Sequence, residues 1–197
     1  AALTKTSSML GDHVGWKCGA CNLAAQAGMQ LSEPFRAPLF KDRIFTEPRT
    51  AVDLGRTNVT LLEAEFGLVL SKSLPPRGSP YTAADVMDAV SVVIPSVEVC
   101  ASRWSGVAFE QSTPLQRLAD GGGNDSCVIG EAFDAGRSGE TMSQLADVRV
   151  RFVINGKEPD GLPGSRGSGA AVLGHPANAL AWLANSLIEG HTSTQAS

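Results

Sequence analysis

The residues best suited to chemistry are three glutamates set in apolar segments of the chain. Glu63 and Glu65 are separated by one residue in LLEAEFGLVL, so in a strand their side chains leave the same face of the sheet. Glu98 lies in a second strand-like segment, VVIPSVEVC. Carboxylates held together on a buried face repel, unless one is protonated or a basic group or cation lies between them. A hard divalent cation would account for all three glutamates.

A lysine near the start of the chain is a second candidate. The segment HVGWKC, residues 13–18, predicts a short strand in which Lys17 is the one charged residue among apolar neighbours. Such a lysine either extends its ammonium group to the surface or faces a site in a desolvated position, where its charge or its shifted pKa can be used. The sequence leaves both interpretations open.

Four cysteines raise the possibility of redox or zinc chemistry, and they are Cys18, Cys21, Cys100 and Cys127. A thioredoxin-like site would need the first pair, CGAC, at a strand-to-helix junction within a βαβ unit. A structural zinc site would need a second cysteine pair or histidines at ligand spacing, and the three histidines are scattered. The favoured interpretation is therefore four reduced, half-buried cysteines.

Composition limits the class of protein. The chain has 197 residues, 43% of them apolar, which is ample for the core of one domain. A formal charge of -4 with interspersed signs gives no basic stripe, so nucleic acid is not an expected partner. The sequence shows no run of 18 apolar residues and no signal peptide at Ala1. We expect a single domain over residues 1–197 of a soluble, cytoplasmic protein without a membrane partner.

Hydrophobic periodicity predicts the elements that position the candidate residues. The predicted strands are residues 13–18, Val59–Leu70, the segment around Glu98, Cys127–Phe133 and Val148–Ile154, the last followed by the turn residues Asn155-Gly156. The predicted loops are Ser32–Leu39, Phe45–Leu54, Lys72–Tyr81 and Asp120–Asn124, which are rich in proline, glycine or polar residues. The glycine-rich DGGGN lacks the lysine and hydroxyl residue of a phosphate-binding P-loop.

Helices are predicted at four places. They are the end of a helix at Leu3–Leu10, a short helix within Asn22–Leu31, Ala83–Val90 with Thr82 as N-cap and Asp85 in its first turn, and a helix within Gly167–Gly190 that begins near Pro176. In the last of these, Leu180, Leu183, Ala184 and Leu187 form one apolar face that we expect in the core. We expect the chain after Gly190 to fray.

Five motifs follow one another in a characteristic order. They are Glu63-Ala-Glu65, Ile94-Pro-Ser-Val-Glu98, Ser102-Arg103, Ala119-Asp120 before Val128-Ile-Gly130, and Gly169-Ala-Ala-Val-Leu-Gly-His-Pro-Ala-Asn-Ala-Leu-Ala-Trp-Leu-Ala. A lone Glu-x-Glu is weak evidence, whereas the ordered set extends over nearly the whole chain. With this set the chain resembles the 2-keto-4-pentenoate hydratase and 2-oxo-4-enoate decarboxylase branch of the fumarylacetoacetate hydrolase superfamily.

The resemblance implies a fold and an activity. The implied fold is α+β, a mixed β-sheet roll or barrel with peripheral helices. The implied cofactor is Mg²⁺ or Mn²⁺ held by Glu63, Glu65 and Glu98, and the implied substrate is a small 2-oxo or 2-hydroxy acid. The implied reaction is the addition of water to a 2-hydroxy-2,4-dienoate, which gives a 4-hydroxy-2-oxo acid in the catabolism of aromatic rings.

The resemblance also implies roles for further residues. Lys17 lies in a segment where the family places a lysine at the site, and Asp42 falls where relatives carry an acid, so these two are the expected catalytic residues. Arg103 and Asp120 match positions that we expect to bind substrate or to orient loops. A homo-oligomer is expected, with a decarboxylase as a candidate partner.

Three alternatives follow from the same resemblance. Relatives have more helix before the strand of Lys17 and further barrel strands after the last helix, so we expect that these parts are missing from this sequence or that the fold closes differently. The site would also suit a 2-oxo-enedioate decarboxylase or an acylpyruvate hydrolase. A non-catalytic partner subunit with the same fold is the third alternative.

Overall fold

A computed structural model of the protein describes residues 11–46, 51–52, 58–104, 111–134, 143–159 and 165–195. The predicted helix end at Leu3–Leu10 lies outside these residues. The described strands are β1 (His13–Gly19), β2 (Phe35–Phe40), β3 (Ile44–Phe45), β4 (Asn58–Leu70), β5 (Val90–Ser102), β6 (Asn124–Ile129), β7 (Phe133–Asp134), β8 (Arg149–Arg151) and β9 (Arg166–Ser168). The described α-helices are α1 (Leu23–Met29), α2 (Ala83–Met87), α3 (Pro114–Ala119) and α4 (Pro176–Gln195).

The strands form mixed sheets. The largest sheet has the order β3-β6-β5-β4, with β7 also paired to β5. Strands β3 and β6 are parallel, whereas β5 and β6 are antiparallel. Strands β1 and β2 form an antiparallel pair, as do β8 and β9. The predicted α+β class with mixed sheets is confirmed.

The chain divides into two compact units. The first is Ala1–Gly67 with Val93–Phe133, and the second is Leu68–Val92 with Asp134–Ser197. All of the predicted site residues belong to the first unit. The assignment of residues 1–197 to a single domain stays a prediction.

In the first unit, the segment predicted as a loop at Ser32–Leu39 is largely strand β2, so that prediction was wrong. Its prolines suggested a pinned loop, but Pro38 lies opposite Trp16 in a sheet of two strands. Proline lacks an N–H group, and it is tolerated where a strand edge needs no donor. Each strand of a two-stranded sheet has such an edge.

The second unit is held together by α2 and α4. Its core contains Tyr81, Val86, Ala177, Ala181 and Ala184. The Asn185 side chain of α4 accepts a hydrogen bond from the Tyr81 backbone N–H (2.8 Å) and donates one to the Tyr81 carbonyl (3.0 Å). The apolar face of α4 is thus partly as predicted, since Ala184 is in the core and Leu180 packs against it, while smaller alanines fill the closest positions.

The boundaries of several elements differ from the predictions. Thr82 is the N-cap of α2 and Asp85 lies in its first turn, as predicted, and the two form a capping box. The helix ends at Met87, before the predicted Val90, because Val90 already begins β5. Helix α4 continues to Gln195, beyond the predicted fraying point at Gly190. The Asn155-Gly156 turn is confirmed, since both residues have positive φ and Ile154 pairs with Lys157 across them.

Substitution of Gly169 tests the packing of the second unit. A Cβ atom at Gly169 would overlap the backbone carbonyl of Leu145, which cannot rotate away as a side chain can. We expect Gly169→Ala to lower the free energy of unfolding in urea by about 2 kcal/mol or more, as overpacking does.

Gly28 in α1 provides the matched control. A Cβ atom there has no neighbour within 4 Å, and alanine favours helix by about 1 kcal/mol over glycine. Gly28→Ala should therefore leave the urea midpoint unchanged or raise it. Equal midpoints for the two variants would contradict the packing described for Gly169.

Candidate active site

A buried ion pair lies at the centre of the predicted site. Lys17 Nζ on β1 donates a hydrogen bond of 2.5 Å to Glu98 Oε1 on β5. The side chains are 11% and 3% exposed, respectively. Alternation along β1 turns Lys17 away from the face of its neighbour Trp16. Of the two interpretations of Lys17, the structure therefore supports the desolvated lysine that faces the glutamates.

The charge of Lys17 is maintained by its partner. Burial by itself would lower the pKa of Lys17, but the charge of Glu98 and the hydrogen bond to it act in the opposite direction, and the net pKa is raised. Lys17 Nζ also lies 5.5 Å from the centre of the Phe35 ring. The lysine is therefore an ammonium group at neutral pH.

Phe35 is itself held between two glycines. A Cβ atom at either Gly19 or Gly122 would overlap the Phe35 ring. Gly122 also has φ of +71°, a conformation that L side chains rarely adopt. The predicted loop at Asp120–Asn124 contains a tight glycine turn at Gly121–Gly123, closed by a 3₁₀-type hydrogen bond from the Gly123 N–H to the Asp120 carbonyl (3.1 Å). This turn packs against the ring beside Lys17.

A group of metal-ligand type combines two of the predicted glutamates with a cysteine. One carboxylate oxygen each from Glu63 and Glu98 and the Cys100 sulfur lie within 4.8 Å of one another. Cys100 Sγ is 3.4 Å from Glu63 Oε2 and 3.6 Å from Glu98 Oε1. Cys100 was not among the predicted site residues, although its position two residues after Glu98 in a strand was a usable signal.

Glu65 lies close enough to Glu63 and Glu98 for their charges to change its pKa. Burial, followed by the charges of Glu98 and Glu63, raises the pKa of Glu65 to about 8. Within the described part of the chain, however, Glu65 is not among the residues whose ligand atoms meet within 4.8 Å. The structure thus brings Glu63 and Glu98 together as predicted, and the role of Glu65 as a ligand stays a prediction.

The arrangement of charges fits a divalent cation. If a cation displaced the Glu65 proton, the three carboxylates would carry three negative charges, of which Lys17 neutralises one. Burial raises the pKa of the Cys100 thiol, so this group adds no charge of its own before a metal binds. The remaining two charges and the available oxygen atoms are what a divalent ion such as Mg²⁺ requires.

The other predicted site residues occupy different surroundings. Asp42 is exposed on the 3₁₀ turn Lys41–Arg43 and lies against Gly11. In the contacts seen among the described residues, its carboxylate takes no part in the cluster of Lys17 and Glu98. The catalytic role of Asp42 therefore stays a prediction.

Arg103 and Asp120 bind each other. Arg103 Nη1 donates to Asp120 Oδ1 (2.5 Å), and the Arg103 backbone N–H donates to Asp120 Oδ2 (3.0 Å). The guanidinium also donates to the carbonyl of Asn124, at the start of β6. The pair fixes the 3₁₀ turn between α3 and β6, and its role in substrate binding stays a prediction.

Cys18 and Cys21 lie at a junction between strand β1 and helix α1. Their sulfur atoms are 3.5 Å apart, and both thiols are free and half-buried, as predicted. The following strand β2 is antiparallel to β1, so the pair is not in the parallel βαβ unit of a thioredoxin-like site.

The Cys127 thiol is half-buried as well. Burial, followed by the charge of Glu98, raises the pKa of Cys127 to about 11.

Comparisons with known proteins place these observations in context. No protein-family model matches the chain. A 2-oxo-hept-4-ene-1,7-dioate hydratase of Escherichia coli is 31% identical over 176 residues, which are 88% of this chain and 61% of that protein. A 4-oxalocrotonate decarboxylase of Pseudomonas putida is 33% identical over 176 residues, which are 89% of this chain and 61% of that protein. Over most of its length the chain is thus similar to hydratases and decarboxylases.

Solved structures agree with this similarity. The structure of 4-oxalocrotonate decarboxylase from Pseudomonas putida G7, complexed with magnesium and adipate, matches with a TM-score of 0.78 and 28% identity. The match covers 95% of this chain and 66% of that chain. The predicted resemblance to the hydratase and decarboxylase branch is confirmed. The chain described here spans about three fifths of the length of the curated relatives named above.

Among the described residues, none of the helices combines the length and the hydropathy needed to cross a bilayer.

Removal of the Lys17 charge tests the buried ion pair. In chelator, Lys17→Met leaves the Glu98 carboxylate buried without its partner, and breaking such pairs typically costs 3–5 kcal/mol. We expect the free energy of unfolding in urea to fall by about 3 kcal/mol, and the double variant Lys17→Met/Glu98→Gln to recover part of this loss.

The exposed pair of Lys72 and Asp88 is the control. It has a similar N–O distance of 2.7 Å, but its side chains are 61% and 78% exposed. Because exposed pairs contribute little, Lys72→Met should change stability by less than about 1 kcal/mol. Equal effects of the two methionine substitutions would contradict a special role for burial.

The raised pKa of Glu65 predicts a pH dependence of stability in the metal-free chain. Between the ordinary value of 4.5 and about 8, the folded state binds the Glu65 proton and the unfolded state does not. The Glu65 contribution to the unfolding free energy therefore falls as pH rises through this window, by at most about 1.4 kcal/mol per pH unit.

The measurement is urea unfolding of the wild type and Glu65→Gln at intervals from pH 5 to 8 in chelator. The difference between the two proteins isolates Glu65, because other titrating groups are common to both. Glu65→Gln should gain stability relative to the wild type as pH rises. A constant difference across the window would show that Glu65 titrates normally.

Proposed function

We propose that the protein is a metal-dependent hydratase, which adds water to a 2-hydroxy-2,4-dienoate and yields a 4-hydroxy-2-oxo acid in aromatic-ring catabolism. The observation that carries the proposal is the buried contact between Lys17 and Glu98, with Glu63 and Glu65 nearby. This cluster occurs in a homologue of hydratases that act on substrates of this type.

The proposed metal ligands are Glu63, Glu65 and Glu98, and the proposed ion is Mg²⁺ or Mn²⁺. Support comes from the excess of buried negative charge and from the related decarboxylase, whose structures are described as complexed with magnesium and adipate or with calcium and acetate. When bound, the ion supplies Lewis-acid stabilisation of the negative charge that develops on the 2-oxygen of the substrate.

Lys17 is the proposed proton carrier. Because its pKa is raised, it begins as an ammonium group and can give a proton from Nζ to a substrate carbon as the dienol ketonises. Its hydrogen bond to Glu98 holds Nζ in place, and the burial of both side chains limits the access of bulk water. Asp42 is the second proposed proton carrier, with weaker support because it is exposed.

Arg103 and Asp120 are proposed to influence substrate binding indirectly, by holding a neighbouring turn in place. Their mutual contacts fix the 3₁₀ turn whose Gly122 packs on Phe35, and Phe35 lies beside Lys17. A fumarylacetoacetate-hydrolase-type roll, a cytoplasmic homo-oligomer and a decarboxylase as candidate partner complete the proposal. Their support is the resemblance and the homology.

A decarboxylase is the second candidate function. The observation that favours it is the match to 4-oxalocrotonate decarboxylases, both in sequence and in solved structures. When a 2-oxo-enedioate loses CO₂ from its distal carboxylate, the released electron pair is delocalised through the double bond onto the 2-oxygen. Hydration develops negative charge on the same oxygen, so the same carboxylates and lysine would suit either reaction.

The hydratase and the decarboxylase are distinguished by their reaction products. With 2-hydroxypenta-2,4-dienoate and Mg²⁺, we expect loss of the dienol ultraviolet absorbance with formation of a 4-hydroxy-2-oxo acid, identified by mass spectrometry. Chelator or Glu65→Gln should reduce the rate by about 100-fold or more, since losses of metal-site groups commonly reach this size.

The exposed Glu131 offers a matched control, and Glu131→Gln should keep the full rate. Release of CO₂ from a 2-oxo-enedioate, without hydration of the dienoate, would favour the decarboxylase. Hydration that persists in chelator would contradict a metal-dependent mechanism.

A further inference from the structure

The proposed function does not use the two cysteines at the end of β1. Cys18 belongs to this strand, and Cys21 directly precedes Asn22, the N-cap residue of α1. Their sulfur atoms are 3.5 Å apart, and both thiols are free and half-buried. Because Cys18 follows Lys17 in the chain, any chemistry of this pair takes place next to a proposed catalytic residue.

The backbone between the two cysteines is held in a defined turn. Ala20 has φ of +55°, and in the neutral pair the Cys21 thiol donates a hydrogen bond to the Cys18 carbonyl (3.2 Å). The buried Gln26 side chain of α1 donates a hydrogen bond to the Ala20 carbonyl (3.1 Å). The short distance between the sulfur atoms is therefore a property of a folded turn.

A disulfide needs only a small further approach of the two sulfur atoms. A sulfur–sulfur bond is about 2.05 Å long, so the atoms of Cys18 and Cys21 have to move about 1.5 Å closer. Two groups held this near each other react as if each were present at a high concentration around the other. The geometry therefore favours a bond within the chain over a bond to a second molecule.

The two thiols differ in reactivity. When Cys21 ionises, the Cys18 S–H can turn toward it, and this hydrogen bond lowers the pKa of Cys21. The same interaction raises the pKa of Cys18, an effect that ends once Cys21 has reacted. Thiolates are the attacking species in disulfide exchange. Burial raises the pKa of both Cys100 and Cys127, which favours the unreactive thiol form at these positions.

We propose that Cys18 and Cys21 close reversibly to a disulfide within the chain, with a small-molecule disulfide such as oxidised glutathione as the electron acceptor. The Cys21 thiolate attacks one sulfur of the acceptor, forms a mixed disulfide and releases the first small thiol. The Cys18 thiolate then attacks the Cys21 sulfur and releases the second. Two protein thiols are oxidised, the acceptor is reduced to two thiols, and these thiols take up the two cysteine protons.

The pair is thereby a modification site and not a thioredoxin-like catalyst, because the strand that follows α1 is antiparallel to β1. In a reducing compartment such disulfides are typically transient and form when the balance of thiols and disulfides shifts. The inference does not depend on the proposed function, since it uses neither the metal nor the substrate.

Trypsin separates the cysteines into three peptides. Residues 18–36 contain Cys18 and Cys21, residues 78–103 contain Cys100, and residues 118–137 contain Cys127. The reduced wild type is incubated with oxidised glutathione, quenched with acid, alkylated, digested and analysed by mass spectrometry. Peptide 18–36 should lose two hydrogens and take up no alkylating reagent.

The other two peptides provide internal controls. At early times the oxidised fraction of the Cys18 and Cys21 pair should exceed that of Cys100 or Cys127 by about tenfold or more, because oxidation follows thiolate character and access. Excess reduced glutathione should restore both thiols. The variant Cys127→Ser, at another half-buried cysteine, should form the disulfide as the wild type does.

Variants at the pair test the order of the two steps. Cys18→Ser lacks the second thiol, so one glutathione should stay attached to Cys21 in peptide 18–36. Cys21→Ser lacks the attacking thiol, and modification of its Cys18 should be slower by about tenfold or more. Alanine at either position provides a second variant in case serine disturbs the turn, and circular dichroism checks that each variant is folded.

Three results would overturn the inference. In the first, peptide 18–36 of the wild type stays fully alkylated in oxidised glutathione. In the second, glutathione remains attached to wild-type Cys21, because the two sulfur atoms then do not come together. In the third, peptide 18–36 is joined to a second copy of itself. All three are read without a turnover assay, so they are distinct from a failure of the proposed hydratase.

Discussion

The hydrogen bond from Lys17 to Glu98 is the contact on which the candidate site depends, and it joins residues 81 positions apart in the chain. Neither group could be buried alone, because an unpaired charge in a protein interior is strongly disfavoured. Their contact requires β1 to approach β5, and with it come Phe35 and the glycine turn that packs on this ring. The need to pair the charges of Lys17 and Glu98 thus brings β1 and β5 together, and the packing around Phe35 supports this arrangement.

Lys17 neutralises one of the carboxylates in this region, that of Glu98. Glu63 and Glu65 reach the region from β4, and burial, followed by repulsion from Glu98 and Glu63, raises the pKa of Glu65. A protein selected only for stability would replace such carboxylates by apolar residues. Their presence in a homologue of hydratases and decarboxylases is consistent with stability given up for binding of a cation.

Local signals were enough to predict much of this structure. Apolar strand-like runs identified the strands of Glu63 and Glu98, and Thr82 as an N-cap with Asp85 in the first turn identified the start of α2. The strand β2 was missed because its prolines are local evidence for a loop, whereas the open edge that tolerates Pro38 is a property of the sheet. Cys100 was missed because its position two residues after Glu98 is a weak signal by itself, whereas its short distances to two glutamates, one of them on another strand, are evident only in the structure.

The clamping of Phe35 between Gly19 and Gly122 has a consequence for how this chain can diverge. A run of three glycines looks like a spacer, the kind of place where insertions and substitutions accumulate without harm. Here the ring occupies the volume that any side chain at position 122 would need. We therefore expect the turn to be among the slowest-changing parts of the protein, and a poor choice for inserting tags, linkers or additional domains.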